Sequence, residues 1–87
     1  MTPEQHAYLA EHRWALLATI RGDGSPQVSM VAYHFDGTDI VVSCRASSAK
    51  ARNARRDPRA VVTVADGRRY LAVAGSVEVV DAGESLH

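Results

Sequence analysis

This chain of 87 residues has only one cysteine, no excess of charge of either sign and no long apolar run. Its one cysteine, Cys44, excludes a framework of internal disulfides and fits the reducing cytoplasm. Ten basic residues balance ten acidic ones, so the basic excess that is usual in nucleic-acid-binding proteins is missing. No apolar run approaches the roughly 20 residues that span a bilayer, and the polar amino terminus is unlike a signal peptide. We therefore expect a cytoplasmic protein that binds neither nucleic acid nor a membrane.

Motifs for metal binding and for nucleophilic catalysis are also missing from the sequence. His6 and His12 are six residues apart, which does not bring both onto one helical face, and one cysteine completes no zinc pattern. There is no G-x-S-x-G sequence, and Cys44 lies in an apolar run, where thiols are usually buried and inert. The sequence therefore predicts no metal site and no catalytic side chain of its own.

Apolar residues are plentiful, at 46% of the chain, which is ample for a folded core. Residues 1–87 make one small domain, because no linker, repeat or low-complexity segment divides them. A domain this small does not easily bury every large apolar side chain. We therefore expect a partner surface, most simply that of a homodimer.

Five apolar runs separated by turns predict a mainly β protein. The runs are residues 14–20, 27–35, 40–45, 60–65 and 70–80. Alternation in 27–35 places the even-numbered residues on one face and the odd-numbered residues on the other. Gly75 predicts a bulge or bend in the last run. The close spacing of the runs favours an antiparallel barrel or sandwich.

Two helices are predicted between these runs. Thr2–Glu4 supplies a cap, a proline suited to the first helical position and an acidic residue, and the helix should continue to about Arg13. A second, short helix follows a cap at Ser47 or Ser48 and must end at Asp57–Pro58, because the residue before a proline disfavours helical geometry.

The segment around the second helix, "SSAKARNARRDPR", 47–59, carries five of the ten basic residues. Lys50 and Asn53 share one face near its start, where free N–H groups, a serine hydroxyl and an ammonium group together suit a phosphate. A solvated connector explains the same residues, and a nucleic-acid-binding helix would need interleaved aromatic residues that are not there. Composition alone leaves the connector and the phosphate site open.

The ordered motifs "LLATIRGDGSPQVSMVAYHFDGTDIVVS", "AKARNARRDPRAVVTV" and "YLAVAGSVEVV" resemble the split β-barrel flavin and deazaflavin oxidoreductases. This superfamily includes the FMN-binding pyridoxamine 5′-phosphate oxidases, and the chain is most similar to its actinobacterial F420-dependent branch. The resemblance implies a six-stranded split barrel that works as a homodimer, with two cofactors in clefts between the subunits. It also implies a last strand and helix that this sequence does not include, so that the chain is truncated at its carboxyl end or its barrel is closed differently.

The resemblance further implies a set of cofactor-binding residues. Lys50 matches the lysine that binds the cofactor phosphate, Ser48 and Ala49 adjoin it, and Asn53 is a supporting donor. Five strand residues match the stretches along the ring system: Ser29, Met30, Val31, Val42 and Ser43. Tyr70 matches a position that reaches the cofactor of the other subunit.

Two departures from the oxidases favour one cofactor over the other. Their two phosphate-binding arginines fall on Val28 and Ala49, so two cations are missing. We therefore expect an oxidoreductase that transfers a hydride from reduced coenzyme F420, a deazaflavin, to a small conjugated organic substrate. The alternatives are an FMN-dependent oxidoreductase of the same fold and a non-catalytic module that binds or stores the cofactor.

Overall fold

The structure is a computed structural model that describes residues 1–80. Its elements are α1 (Pro3–Glu11), β1 (Trp14–Ile20), β2 (Pro26–Phe35), β3 (Ile40–Val42), α2 (Ala49–Arg56), β4 (Arg59–Asp66) and β5 (Arg69–Ser76). The strands form one antiparallel sheet in the order β3-β2-β1-β4-β5. This confirms the mainly β fold with two short helices. The expected loss of a final strand and helix concerns the chain after residue 80 and lies outside the described residues.

Two predicted strands end earlier than the sequence pattern suggested. β3 stops at Val42, so Ser43 and Cys44 lie beyond the strand and are exposed, and the expectation of a buried thiol is wrong. β5 stops at Ser76 because its partner β4 begins at Arg59, directly after a proline. The predicted bulge at Gly75 is also wrong, since the pairing of β4 with β5 runs through this residue without interruption.

The two faces of the sheet differ in what covers them. Both helices lie on the inner face, which the odd-numbered residues of β1 and β2 line, and its core includes Leu17, Val31 and Val64. The other face, here called the outer face, carries large apolar side chains that remain exposed. They are Trp14, Leu16, Val28, Met30 and Val61. The sequence prediction that alternation separates the two sides of β2 is confirmed by its burial pattern.

Helix α1 is anchored to the inner face by its second half. Thr2 caps the helix, and a reciprocal pair of hydrogen bonds between Thr2 and Gln5 fixes the first turn. Leu9 is fully buried, and the hydroxyl of Tyr33 on β2 donates a 2.7 Å hydrogen bond to the carbonyl oxygen of Leu9. Within residues 1–80, no helix has the length and apolar character needed to cross a membrane.

Candidate functional site

The first turn of α2 presents unpaired donors to the surroundings. Ser48 adopts an extended conformation at the N-cap, and its hydroxyl oxygen accepts a hydrogen bond from the N–H of Ala51. The N–H groups of Ala49 and Lys50, which lie between Ser48 and Ala51, have no acceptor within residues 1–80. These two N–H groups, the Ser48 hydroxyl and the Lys50 ammonium group are here called the α2 anion site. Such an arrangement at the positive end of a helix attracts an anion.

Lys50 differs from the arginines that follow it in having no acceptor of its own. It is half-buried, and its ammonium group forms no ion pair or hydrogen bond with the described part of the chain. The four arginines of the segment all donate to oxygen atoms of the chain. Arg52 binds the Ser47 carbonyl, Arg55 the Ala46 carbonyl, Arg56 the Ile20 carbonyl and Arg59 the Asp57 carboxylate. Among the cations of 47–59, Lys50 is therefore the one whose side-chain donors have no acceptor in the described chain.

The ion pair at the other end of α2 is local. Arg59 approaches Asp57 to 2.7 Å, and these hydrogen bonds lower the pKa of the Asp57 carboxyl to about 2. Arg59 is exposed, so this ion pair contributes little to stability.

Asn53 is buried beneath α2 and is fully hydrogen-bonded. Its side-chain nitrogen donates to Thr19 Oγ1 at 3.2 Å and to Gln27 Oε1 at 2.9 Å, and its oxygen accepts from Arg56 at 2.8 Å. The amide therefore has no free hydrogen for a ligand while this network is intact. We call Thr19, Gln27, Asn53 and Arg56 the Asn53 network. Sequence reasoning missed it, although an asparagine among buried alanines on one helical face is a signal for such a bond.

The three predicted β2 residues divide between the two faces of the sheet. Ser29 is half-buried and Val31 buried on the inner face, whereas Met30 is 64% exposed on the outer face. Tyr33 donates its N–H to the carbonyl of Arg13, so the alternation of antiparallel pairing turns the N–H and C=O of Met30 away from β1.

This edge of β2 remains open at Met30. The neighbouring strand β3 ends at Val42, which pairs with Tyr33, three residues further along β2. No partner within residues 1–80 takes the Met30 backbone groups. The edge therefore offers one donor and one acceptor to a planar polar group lying beside Met30.

The remaining three predicted residues lie in three different parts of the fold. Val42 is half-buried at the end of β3, and Ser43 is exposed in the connection that leads to α2. Tyr70 is 74% exposed on β5, the strand at the opposite edge of the sheet from β3. One chain therefore carries the β2, β3 and α2 residues on consecutive elements, with β3 paired to β2, and places Tyr70 at the far edge of the sheet.

No group of three or more His, Cys, Asp or Glu side chains within residues 1–80 is arranged to hold a metal ion. The donors that the site does offer are an ammonium group, backbone N–H groups and a hydroxyl. This set suits an anion such as a phosphate.

Known proteins are similar to the chain in both sequence and fold. A curated relative, the F420H(2)-dependent biliverdin reductase of Mycobacterium tuberculosis (strain CDC 1551 / Oshkosh), is 39% identical over 75 residues, or 84% of this chain and 55% of the relative. A solved structure of a conserved hypothetical protein from Mycobacterium tuberculosis is 33% identical and superimposes with a TM-score of 0.85, covering 99% of this chain and 57% of that one. A solved F420 reductase is 33% identical with a TM-score of 0.78, covering 90% of this chain and 65% of that one.

The chain thus spans about half the length of the curated relative that it matches. Its sheet with two short helices has the pyridoxamine-oxidase-like fold that the resemblance implied. The profile of the family described as pyridoxamine 5′-phosphate oxidase matches residues 1–87, so the chain belongs to this family of oxidoreductases.

Proposed function

We propose that the chain is part of an oxidoreductase that binds coenzyme F420 and transfers a hydride from its reduced form to a small conjugated organic substrate. The observation that carries this proposal is Lys50, a half-buried cation without an acceptor in the described chain, beside two free N–H groups at a helix start. These donors fit the phosphate of such a cofactor. The cofactor supplies the hydride, and the protein supplies binding, orientation and exclusion of water.

The ring system of the cofactor would lie along the open edge of β2. The unpaired N–H and C=O groups of Met30 suit the polar rim of a flavin-like ring, and the exposed Met30 side chain offers an apolar surface beside it. Val31 is 5% exposed, so we expect it to act through its backbone. Val42 and Ser43 would border the ring, and Ser48 and Ala49 would approach the phosphate together with Lys50.

The deazaflavin is favoured over FMN by two features. Val28 is apolar and 58% exposed, and Ala49 carries no charge, so neither position supplies the arginine found in the oxidases. The F420 named for the curated relative and for the solved reductase points to the same cofactor. A single lysine suits a phosphate that is less charged than the monoester of FMN.

A homodimer would complete the site. The outer face leaves Leu16, at 41%, and Met30, at 64%, exposed directly opposite each other on neighbouring strands. Contiguous apolar surface of this kind marks an interface. Covering it with a second copy would exclude water from the ring and would allow the exposed Tyr70 to reach the cofactor of the partner.

Equilibrium titration with both cofactors tests the proposal. We expect the fluorescence of F420 or of Trp14 to decrease when F420 binds. The Kd for F420 should be lower than the Kd for FMN. A Kd for FMN lower than that for F420 would support the FMN-dependent alternative. Binding of neither cofactor would contradict the proposal.

Turnover separates an enzyme from a storage module. Reduced F420 bound to the protein should be oxidised when a conjugated acceptor is added, and biliverdin is the first to test because the curated relative reduces it. Enones and quinones form the comparison set. Binding without oxidation by any of these acceptors would favour the non-catalytic module.

A further inference from the structure

Helix α2 is attached to the sheet by polar contacts more than by apolar ones. Its buried residues are Ala51, Asn53 and Ala54, and each alanine contributes a single methyl group to the contact. A helix of eight residues is too short to be stable alone, so its place depends on what it packs against. Small residues let the helix approach the sheet closely, but they do not define how it is rotated or shifted along its axis.

The Asn53 network fixes the rotation of α2 and its position along the axis. Asn53 is 6% exposed and Thr19 is 2% exposed, so their hydrogen bond lies out of reach of water. Thr19 lies near the end of β1 and Gln27 at the start of β2, so one side chain of α2 binds both strands of the same hairpin. Arg56 then donates to the Ile20 carbonyl and to the Asn53 oxygen, which ties the last turn of α2 to the end of β1.

The network is linked to the α2 anion site by helix geometry. Lys50 precedes Asn53 by three residues, so the two lie on one face with their Cα atoms about 4.5 Å apart along the axis. A rotation or shift of the helix at Asn53 therefore moves Lys50 and its free N–H group by a similar amount. Hydrogen bonds with fixed directions resist that movement, whereas methyl contacts allow it.

We propose that the Asn53 network positions α2 so that Lys50 and the free N–H groups meet the cofactor phosphate, without itself touching the cofactor. This inference rests on the proposed function, because it assigns the network a part in binding at the same site. Thr19, Gln27 and Arg56 are positioning residues in this account, and Asn53 acts from beneath the helix and not as a phosphate donor. Loosening the network should weaken binding by displacing Lys50 and the free N–H groups from the phosphate.

A double-mutant cycle tests this dependence. Thr19→Val keeps the shape of the side chain and removes one acceptor of Asn53, and Thr19→Ser is the matched variant that keeps the hydroxyl. We expect Thr19→Val to raise the Kd for F420 about threefold to tenfold, the factor that loss of one hydrogen bond produces. Thr19→Ser should stay within about twofold of the parent. In a Lys50→Ala background, Thr19→Val should raise the Kd by a smaller factor, because only the backbone N–H groups then remain to be displaced.

Each outcome of the cycle has a distinct meaning. An equal effect of Thr19→Val in both backgrounds would overturn the positioning proposal, because the network would then act independently of Lys50. No effect of Thr19→Val in the parent, with a clear effect of Lys50→Ala, would also overturn it and leave the proposed function standing. No effect of Lys50→Ala would refute the phosphate assignment in the proposed function and the inference with it.

A second variant covers the case in which Thr19→Val does not fold. Arg56→Gln removes a guanidinium that acts from the exposed side of the network, and Arg68→Gln removes the same charge from the turn between β4 and β5. We expect a higher Kd for F420 with Arg56→Gln, and a change within about twofold with Arg68→Gln. Equal effects of the two would show that only overall charge matters and would overturn the proposal.

Discussion

The two helices lie on the same face of the sheet and are held there in different ways. α1 buries Leu9 completely among apolar side chains, and its tyrosine neighbours add hydrogen bonds at the edge of this contact. α2 buries only two alanines and an asparagine, and the Asn53 network carries its orientation. One helix is fixed mainly by apolar burial and the other mainly by directed polar contacts.

The difference separates stability from position. Apolar burial contributes most of the free energy of folding but has no preferred direction. Hydrogen bonds contribute less net free energy but specify an orientation, and they are costly when one partner is lost. The helix that carries the α2 anion site is the one whose orientation is specified, which is what a binding site requires.

The largest expected effect on stability comes from α1. Leu9→Ala should lower the free energy of unfolding by about 2–5 kcal/mol, because it opens a cavity at a fully buried position. Denaturant unfolding followed by circular dichroism measures this, and Leu9→Met should cost less than about 1.5 kcal/mol. The Kd of the folded fraction for F420 should not change. A large rise in that Kd would show that α1 also shapes the site.

The corresponding change in α2 should affect both properties. Asn53→Ala leaves the buried hydroxyl of Thr19 without its donor, and we expect a loss of about 1–3 kcal/mol in the free energy of unfolding. Unlike Leu9→Ala, it should also raise the Kd for F420. The free energy of unfolding and the Kd for F420 should be measured for both variants. An unchanged Kd for Asn53→Ala would show that the two helices do not differ in their effect on binding.

Loss of the hydrogen bond from Tyr33 to α1 should have a smaller effect. Tyr33→Phe removes the 2.7 Å bond to the Leu9 carbonyl while keeping the buried ring, so we expect a loss of about 1 kcal/mol in unfolding free energy. Burial raises the pKa of the Tyr33 hydroxyl, so it should remain neutral and donating under ordinary conditions. A loss as large as that of Leu9→Ala would mean that α1 too is held mainly by polar contacts.

The smallest expected effect is a dependence on pH at the end of α1. The His12 ring lies 2.7 Å from the Tyr8 carbonyl and 3.2 Å from the Asp66 carboxylate, and these contacts raise the pKa of His12 above 6.5. The stabilising contribution of protonated His12 is therefore complete below pH 6.5 and is lost as pH rises through the higher pKa of the folded state. His12→Gln should flatten the dependence of Tm on pH between about pH 5 and 8. An unchanged dependence would contradict this assignment.

Much of the fold could be predicted from the sequence because the chain is locally consistent. Proline and glycine mark most element boundaries, and alternation in 27–35 separates the two faces of β2. β3 ends at Val42 although its partner β2 continues beyond this pair to Pro26, so the end of β3 is not set by the length of its partner. β5 ends at Ser76, where its partner β4 begins, although apolar residues continue to Val80, so this end could not be predicted. Such a limit is set by pairing between distant parts of the chain.

The candidate site could be predicted in type but not in detail. The position of Lys50 after a serine cap signals a phosphate site, and the resemblance assigns the same residue. The engagement of each arginine with a carbonyl or carboxylate of the chain depends on contacts as distant in sequence as that of Arg56 with Ile20. The open edge of β2 at Met30 likewise follows from the length of β3, which the sequence overestimates.

The affinity of Lys50→Ala for F420, compared with that of Arg68→Ala, tests the central claim most directly. Both variants remove one positive charge, and only Lys50 lies at the α2 anion site. We predict that Lys50→Ala weakens binding by about 1–3 kcal/mol, the value of a charge-assisted phosphate contact. Arg68→Ala should change it by less than about 0.5 kcal/mol. Equal affinities for the two variants would contradict the assignment of the first turn of α2 as the place where the cofactor phosphate binds.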